Sequence, residues 1–146
     1  MTCLKALVIG IIGVMGAGLT FQGLRWGFAP EGNMRRLQIS SSAVTGIGML
    51  KSDIGGSLLF AGLSSLSFAL SGTAEARRQW GKPCMLFSSC LGIVRASAII
   101  TDGYNPLAAF GVAVESTYVL MVWYVLRQDE KEDREKQQEE ANPKEQ

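Results

Sequence analysis

Arg95 and Glu115 are the residues of this chain best placed to do chemistry, because each interrupts a stretch that is otherwise apolar. "GIVRASAIITDG", Gly92 to Gly103, sets an arginine seven residues ahead of Asp102, and "VAVESTYVL" sets Glu115 nine residues after Pro106. If both stretches are helices joined by the short "DGYNP" turn, Arg95 lies about 10 Å below the turn on one and Glu115 about 13 Å below it on the other. Antiparallel neighbours then carry opposite charges at similar depth. An arginine at the centre of a spanning helix costs about 2.5–3.5 kcal/mol, and such residues turn inward and pair. The spacing predicts an Arg95–Glu115 ion pair, or at least a shared polar pocket, and it fits a functional site and a device that fixes helix register about equally well.

Other charges are expected in the same half of the molecule. Arg25 ends the first apolar stretch, Lys51 and Asp53 open the second, and Asp102 closes the third. With Arg95 and Glu115 they make three cations and three anions, a set able to neutralise itself. At 100° per residue, Cys84, Ser88, Leu91, Arg95 and Asp102 share one stripe, as do Gly111, Glu115 and Tyr118. Asp53, Ser57, Phe60, Ser64, Ser67 and Ser71 share another, suited to helix packing or to lining a water-filled path. The expectation is a buried polar cluster of Arg25, Lys51, Asp53, Arg95, Asp102, Glu115 and Tyr118, with no comparable set in the opposite half.

Composition narrows the chemistry. There is no histidine, which removes histidine-ligated haem, zinc or copper and every histidine-based triad. Cys84 and Cys90 are six apart on one expected helix, about 9 Å along its axis, too far for a disulfide. No CxxC and no cofactor fingerprint occurs, so neither a metal nor a cofactor is expected. From Arg127 onward eight acidic residues face five basic ones, against a net charge of +1 for the whole chain. That is not the basic patch of a nucleic-acid binder, so no nucleic-acid partner is expected.

The elements that must position these residues follow from where charge is missing. No charged residue occurs from Ala6 to Leu24, from Ile54 to Ala74 or from Ser116 to Leu126. A run of about 18 or more such residues is a candidate span. Two stretches qualify outright, and two more do if one buried charge each is allowed. The expected class is all-α: a polytopic membrane protein whose residues 1–126 form an antiparallel four-helix transmembrane bundle, followed by a charged cytoplasmic tail, 127–146. Helices are expected from about Leu4 to Gly27, from Val44–Ser52 to Leu70, from about Pro83 to Thr101 and from Pro106 to Leu126. Pro30, Gly32 and Asn33 read as a turn, with an amphipathic piece around Met34, Leu37 and Ile39 beside Arg35 and Arg36. The tail is expected to extend the last helix into water through Glu130–Arg134 and Glu132–Lys136 pairs until Pro143. The first helix, rich in glycine and carrying a Gly23–Gly27 pair, is expected to be retained rather than cleaved as a leader. Lysine and arginine favour the side holding Lys5, Arg77, Arg78, Lys82 and the tail over the side holding Arg25, Arg35, Arg36 and Lys51. This predicts a multi-pass cell-membrane protein with both termini cytoplasmic.

Four stretches also carry a resemblance: "GLRWGFAPEG", "LKSDIGGSLLFAG", "GIVRASAIITDGYNP" and the glutamate of "VAVESTYVL". Over residues 4–126 the chain resembles small four-helix bacterial inner-membrane proteins grouped as a domain of unknown function, distantly DoxX-like. The resemblance implies a four-helix fold and recurring polar features at Arg95, Asp102, Gly103 and Glu115. It also implies an arginine before the Gly-Gly pair. Here that position is Lys51, which keeps the charge and loses the bidentate fork.

The leading expectation is a non-enzymatic protein of the lipid bilayer that binds a lipophilic ligand or a membrane protein partner through a charged pocket in its outer half. The alternative is an oligomeric transporter or proton-handling protein using Glu115 and Asp53. A quinone-linked enzyme subunit stands third, by DoxX analogy alone. If Arg95 and Glu115 are a buried pair, Arg95→Gln and Glu115→Gln each lower the yield of folded protein. Wild-type yield and melting temperature for both variants would overturn the pair.

Overall fold

A computed structural model describes residues 2–36 and 51–141, nearly all of them helical. We label the helices α1 (Cys3–Phe28), α2 (Pro30–Arg36), α3 (Gly56–Leu70, entered through a single π-helical stretch, Lys51–Gly55), α4 (Ala74–Asp102) and α5 (Pro106–Ala141). Residues 37–50 lie outside the described residues, so the amphipathic piece around Leu37 and Ile39 and any start of the second helix before Lys51 do too. Four helices are long and apolar enough to cross a membrane: α1, α3 with its π-helical entry, α4 and α5.

Local chemistry sets the ends. Thr2 accepts the Lys5 amide at the start of α1, and Thr73 accepts the Ala76 amide at the start of α4. Gly103 follows α4 at φ 96°, a backbone that favours glycine, and Asn105 then caps α5 by accepting the Leu107 amide at 2.9 Å. Pro106 takes the first position of α5, where its missing N–H costs nothing.

Three expectations are corrected. The chain breaks at Ala29, but Pro30, Gly32 and Asn33 then form α2 rather than a turn, with proline at the first helical position. α4 begins at Ala74, not at Pro83. The Thr73 cap and the partners of Arg77 and Arg78 described below hold the first turns, and Pro83 is carried inside the helix. The tail does continue α5, yet it is not solvated all round. Asp129 is 1% exposed, and Glu132 turns to Lys5 rather than to Lys136. Within the tail, the ion pair among the described residues is Arg127–Glu130.

Glycines bring α1 and α3 together. A Cβ at Gly23 would stand 2.5 Å from the Leu59 amide nitrogen, and one at Gly16 would stand 2.8 Å from the Ser65 Cβ. A Cβ at Gly62 would collide with Thr20. Numbers rise along one helix as they fall along the other. Gly16 and Gly23, like Gly55 and Gly62, are seven apart, so each pair returns to one face and lets the backbones touch. α3 accordingly buries Ala61, Gly62, Ser64, Ser65 and Phe68, while Ser57 and Phe60 of the expected serine row are exposed. Ile12, Phe68, Cys84, Tyr118, Val122 and Val125 form the core between the four long helices.

Gly23→Ala and Gly62→Ala should each cost about 1–3 kcal/mol of stability through overpacking. Gly10→Ala, whose Cβ meets nothing within 4 Å, should be neutral or gain up to about 1 kcal/mol. Thermal midpoints in one detergent separate the two signs.

Candidate functional site

Arg95 on α4 and Glu115 on α5 meet, with Nη1 and Oε1 2.9 Å apart. Each lies against a glycine of the opposite helix. A Cβ at Gly111 would run into the Arg95 guanidinium, and one at Gly92 would stand 3.5 Å from Glu115 Oε2. Glu115 is buried, whereas the Arg95 side chain is 46% exposed. The second carboxylate oxygen, Oε2, is buried with no hydrogen-bond partner.

Three residues further along α5, the Tyr118 hydroxyl lies 2.6 Å from Ser65 Oγ on α3. Ser65 gives its own proton to the Ala61 carbonyl at 2.7 Å, so Tyr118 is the donor to Ser65. Cys84 of α4 is buried in the same core cluster as Tyr118. The Ser65–Tyr118 bond links α3 to α5.

Between the ion pair and the Ser65–Tyr118 bond is a cavity of 320 Å³. Every long helix contributes to its wall: Met15, Gly18 and Leu19 from α1; Leu58, Ala61 and Ser65 from α3; Cys84, Phe87, Ser88, Leu91 and Arg95 from α4; Val114, Glu115 and Tyr118 from α5. The wall is mostly apolar, with a few convergent polar groups, as in small-molecule sites.

Of the seven residues expected to cluster, the structure brings together Arg95, Glu115 and Tyr118. Arg25, Asp53 and Asp102 are exposed, Lys51 is half-buried, and among the described residues none of these four forms an ion pair. Asp53 accepts the Ser52 hydroxyl and Asp102 that of Thr101. The physical reason is position. Arg25 and Asp102 stand in the last turns of their helices, and for all four exposure, full or partial, lowers the desolvation penalty that would force them to find partners.

The larger correction is at the opposite end, where no charge cluster was expected. Asp129 accepts Arg77 Nε and Nη2 as a fork, both at 2.7 Å, and lies 2.7 Å from Lys5 Nζ. Lys5 also meets Glu132 at 2.9 Å, and Arg77 donates to the Ser71 carbonyl at the C-terminal end of α3. Two cations and two anions thus tie all four long helices at one point. Lys5 and Asp129 are each 1% exposed. One turn further out, Arg78 meets Asp133 in a half-exposed pair.

The signal for this node was present in the register. Arg77 precedes Arg95 by eighteen residues, and Asp129 follows Gly111 by eighteen. Eighteen residues are five full turns at 3.6 per turn. The alignment that faces Arg95 with Gly111 therefore faces Arg77 with Asp129.

Asp129→Leu leaves Lys5 and Arg77 without their shared anion and should cost about 3–5 kcal/mol. Asp133→Leu breaks the outer pair and should cost under about 1 kcal/mol. Thermal unfolding of the two variants side by side tests the contrast. No family model, no curated protein and no solved structure matches this chain, so its function has to be read from these side chains.

Proposed function

We propose that this chain is a multi-pass cell-membrane protein, an antiparallel four-helix bundle with both termini cytoplasmic, that binds a small lipophilic molecule between its helices. The cavity of 320 Å³ carries this reading, because all four long helices wall it and one ion pair sits among its apolar groups. The membrane part is supported by where the large apolar side chains point. Val14, Phe21, Leu70, Leu86, Ile93, Ile100, Phe110 and Leu120 are all exposed, spread over every long helix. A protein in water rarely shows apolar surface on every side, whereas lipid accepts it.

Lengths agree. α5 has 36 residues, about 54 Å, against a hydrocarbon core of about 30 Å. Its apolar part, Pro106 to Leu126, fills the core, and Asp129 falls just beyond it, where Lys5 and Arg77 also gather. That end carries the excess of lysine and arginine and is assigned to the cytoplasm. Arg95 and Glu115 then lie in the outer half of the bilayer. The distantly DoxX-like resemblance belongs to the same reading, with Arg95, Asp102, Gly103 and Glu115 as its shared features.

The alternative in which Glu115 and Asp53 pass protons within an oligomer has less support, because Asp53 is exposed and does not line the cavity with Glu115.

Native mass spectrometry of protein extracted gently from its own membranes tests the proposal. The expected spectrum carries a small lipophile bound one to one, lost on Val114→Phe, which fills the cavity while leaving the ion pair in place. A bare chain in the wild-type spectrum would count against a binding site.

A further inference from the structure

We infer that the cavity selects an uncharged lipophile whose polar end is a hydrogen-bond acceptor, of the ketone or ester class, held by the spare N–H groups of Arg95. The inference rests on the cavity being a binding site and adds the chemistry of what enters.

Charge balance gives the first constraint. Among the residues lining the cavity, Arg95 and Glu115 are the charged ones, and they pair. The wall is therefore neutral as it stands. A carboxylate or ammonium headgroup would leave one net charge among apolar side chains, which a low-dielectric site penalises heavily. An uncharged headgroup leaves the balance intact.

Hydrogen-bond capacity gives the second. A guanidinium carries five N–H donors and no acceptor. Arg95 directs Nη1 to Glu115, and among the described residues no other polar partner holds it. Gly111 leaves room for the guanidinium to lie against α5, and its half-exposed face keeps donors free. At the deep end neither Ser65 nor Tyr118 competes for an acceptor. The Ser65 proton is given to Ala61 and the Tyr118 proton to Ser65. Glu115 Oε2, the unpartnered acceptor, is shut against Gly92, which does not line this cavity. The wall therefore offers strong donors at Arg95 and asks for an acceptor there.

Size gives the third. A cavity of about 150 Å³ holds one benzene ring, so 320 Å³ takes about a dozen carbon-sized atoms. The inferred ligand, or the part of it that enters, is a short chain or a small ring system ending in a carbonyl.

The test uses the full chain in amphipol and four chain-matched probes: methyl octyl ketone, decylamine, decanoate and decane. Binding is read by titration calorimetry and by native mass spectrometry. The ketone should bind about tenfold or more tighter than decane, as expected for a hydrogen bond to a charged donor, and tighter than either ion. In the double variant Arg95→Met with Glu115→Met, which leaves neither charge stranded, ketone and decane should bind alike. If decane matches the ketone in wild type, or if the amine or the carboxylate binds tightest, the cavity remains a site and the acceptor inference falls. If none of the four binds to folded protein, the binding-site reading fails first and takes this inference with it.

Discussion

A charge removed from water must be met by its opposite, and two places among the described residues where this chain meets that demand organise the four long helices. At one end Lys5, Arg77, Asp129 and Glu132 join the start of α1, the end of α3, the start of α4 and the polar extension of α5. Nearer the other end Arg95 and Glu115 join α4 to α5 alone. The first closes on itself with every long helix engaged, and both oxygens of Asp129 are used. The second is loosely finished. One carboxylate oxygen is unmatched and most of the guanidinium is uncommitted. The node that joins all four long helices is saturated, whereas the pair that joins two of them is not.

Packing explains why a space survives between them. α1 and α3 touch backbone to backbone through Gly16, Gly23, Gly55 and Gly62, while α4 and α5 approach through Gly92 and Gly111. Glycine contacts draw helices together in pairs. Where the two pairs face each other, larger side chains such as Met15, Leu58, Phe87 and Tyr118 keep the pairs apart, and the cavity lies among them. Core residues Phe68, Val122 and Val125 close the space on the side toward the Lys5–Asp129 node.

Much of this was legible in the residues. Stretches without charge located the four long helices, and the depth of Arg95 and Glu115 below one turn located their pairing. What misled was local. Pro83 reads as a helix start, because proline suits a first turn, but the Thr73 cap and the distant partners of Arg77 and Arg78 outweigh its missing N–H. The serine row on the second helix draws the eye to hydroxyls, while the interface is set by the absence of side chains at Gly55 and Gly62. The tail looked solvated because its composition is polar throughout. Composition is blind to one aspartate falling five turns from a glycine that already faces an arginine.

The Lys5–Asp129 contact also has a direction in time. Chains are made from the N-terminus, and domains form in that order. Lys5 and Arg77 are both made before Asp129, by 124 and 52 residues. Every apolar stretch is complete by Leu126, three residues before the shared anion exists. Until Asp129 is made, Lys5 and Arg77 are two cations without the anion they share in the fold. A later segment is what fastens the earlier ones.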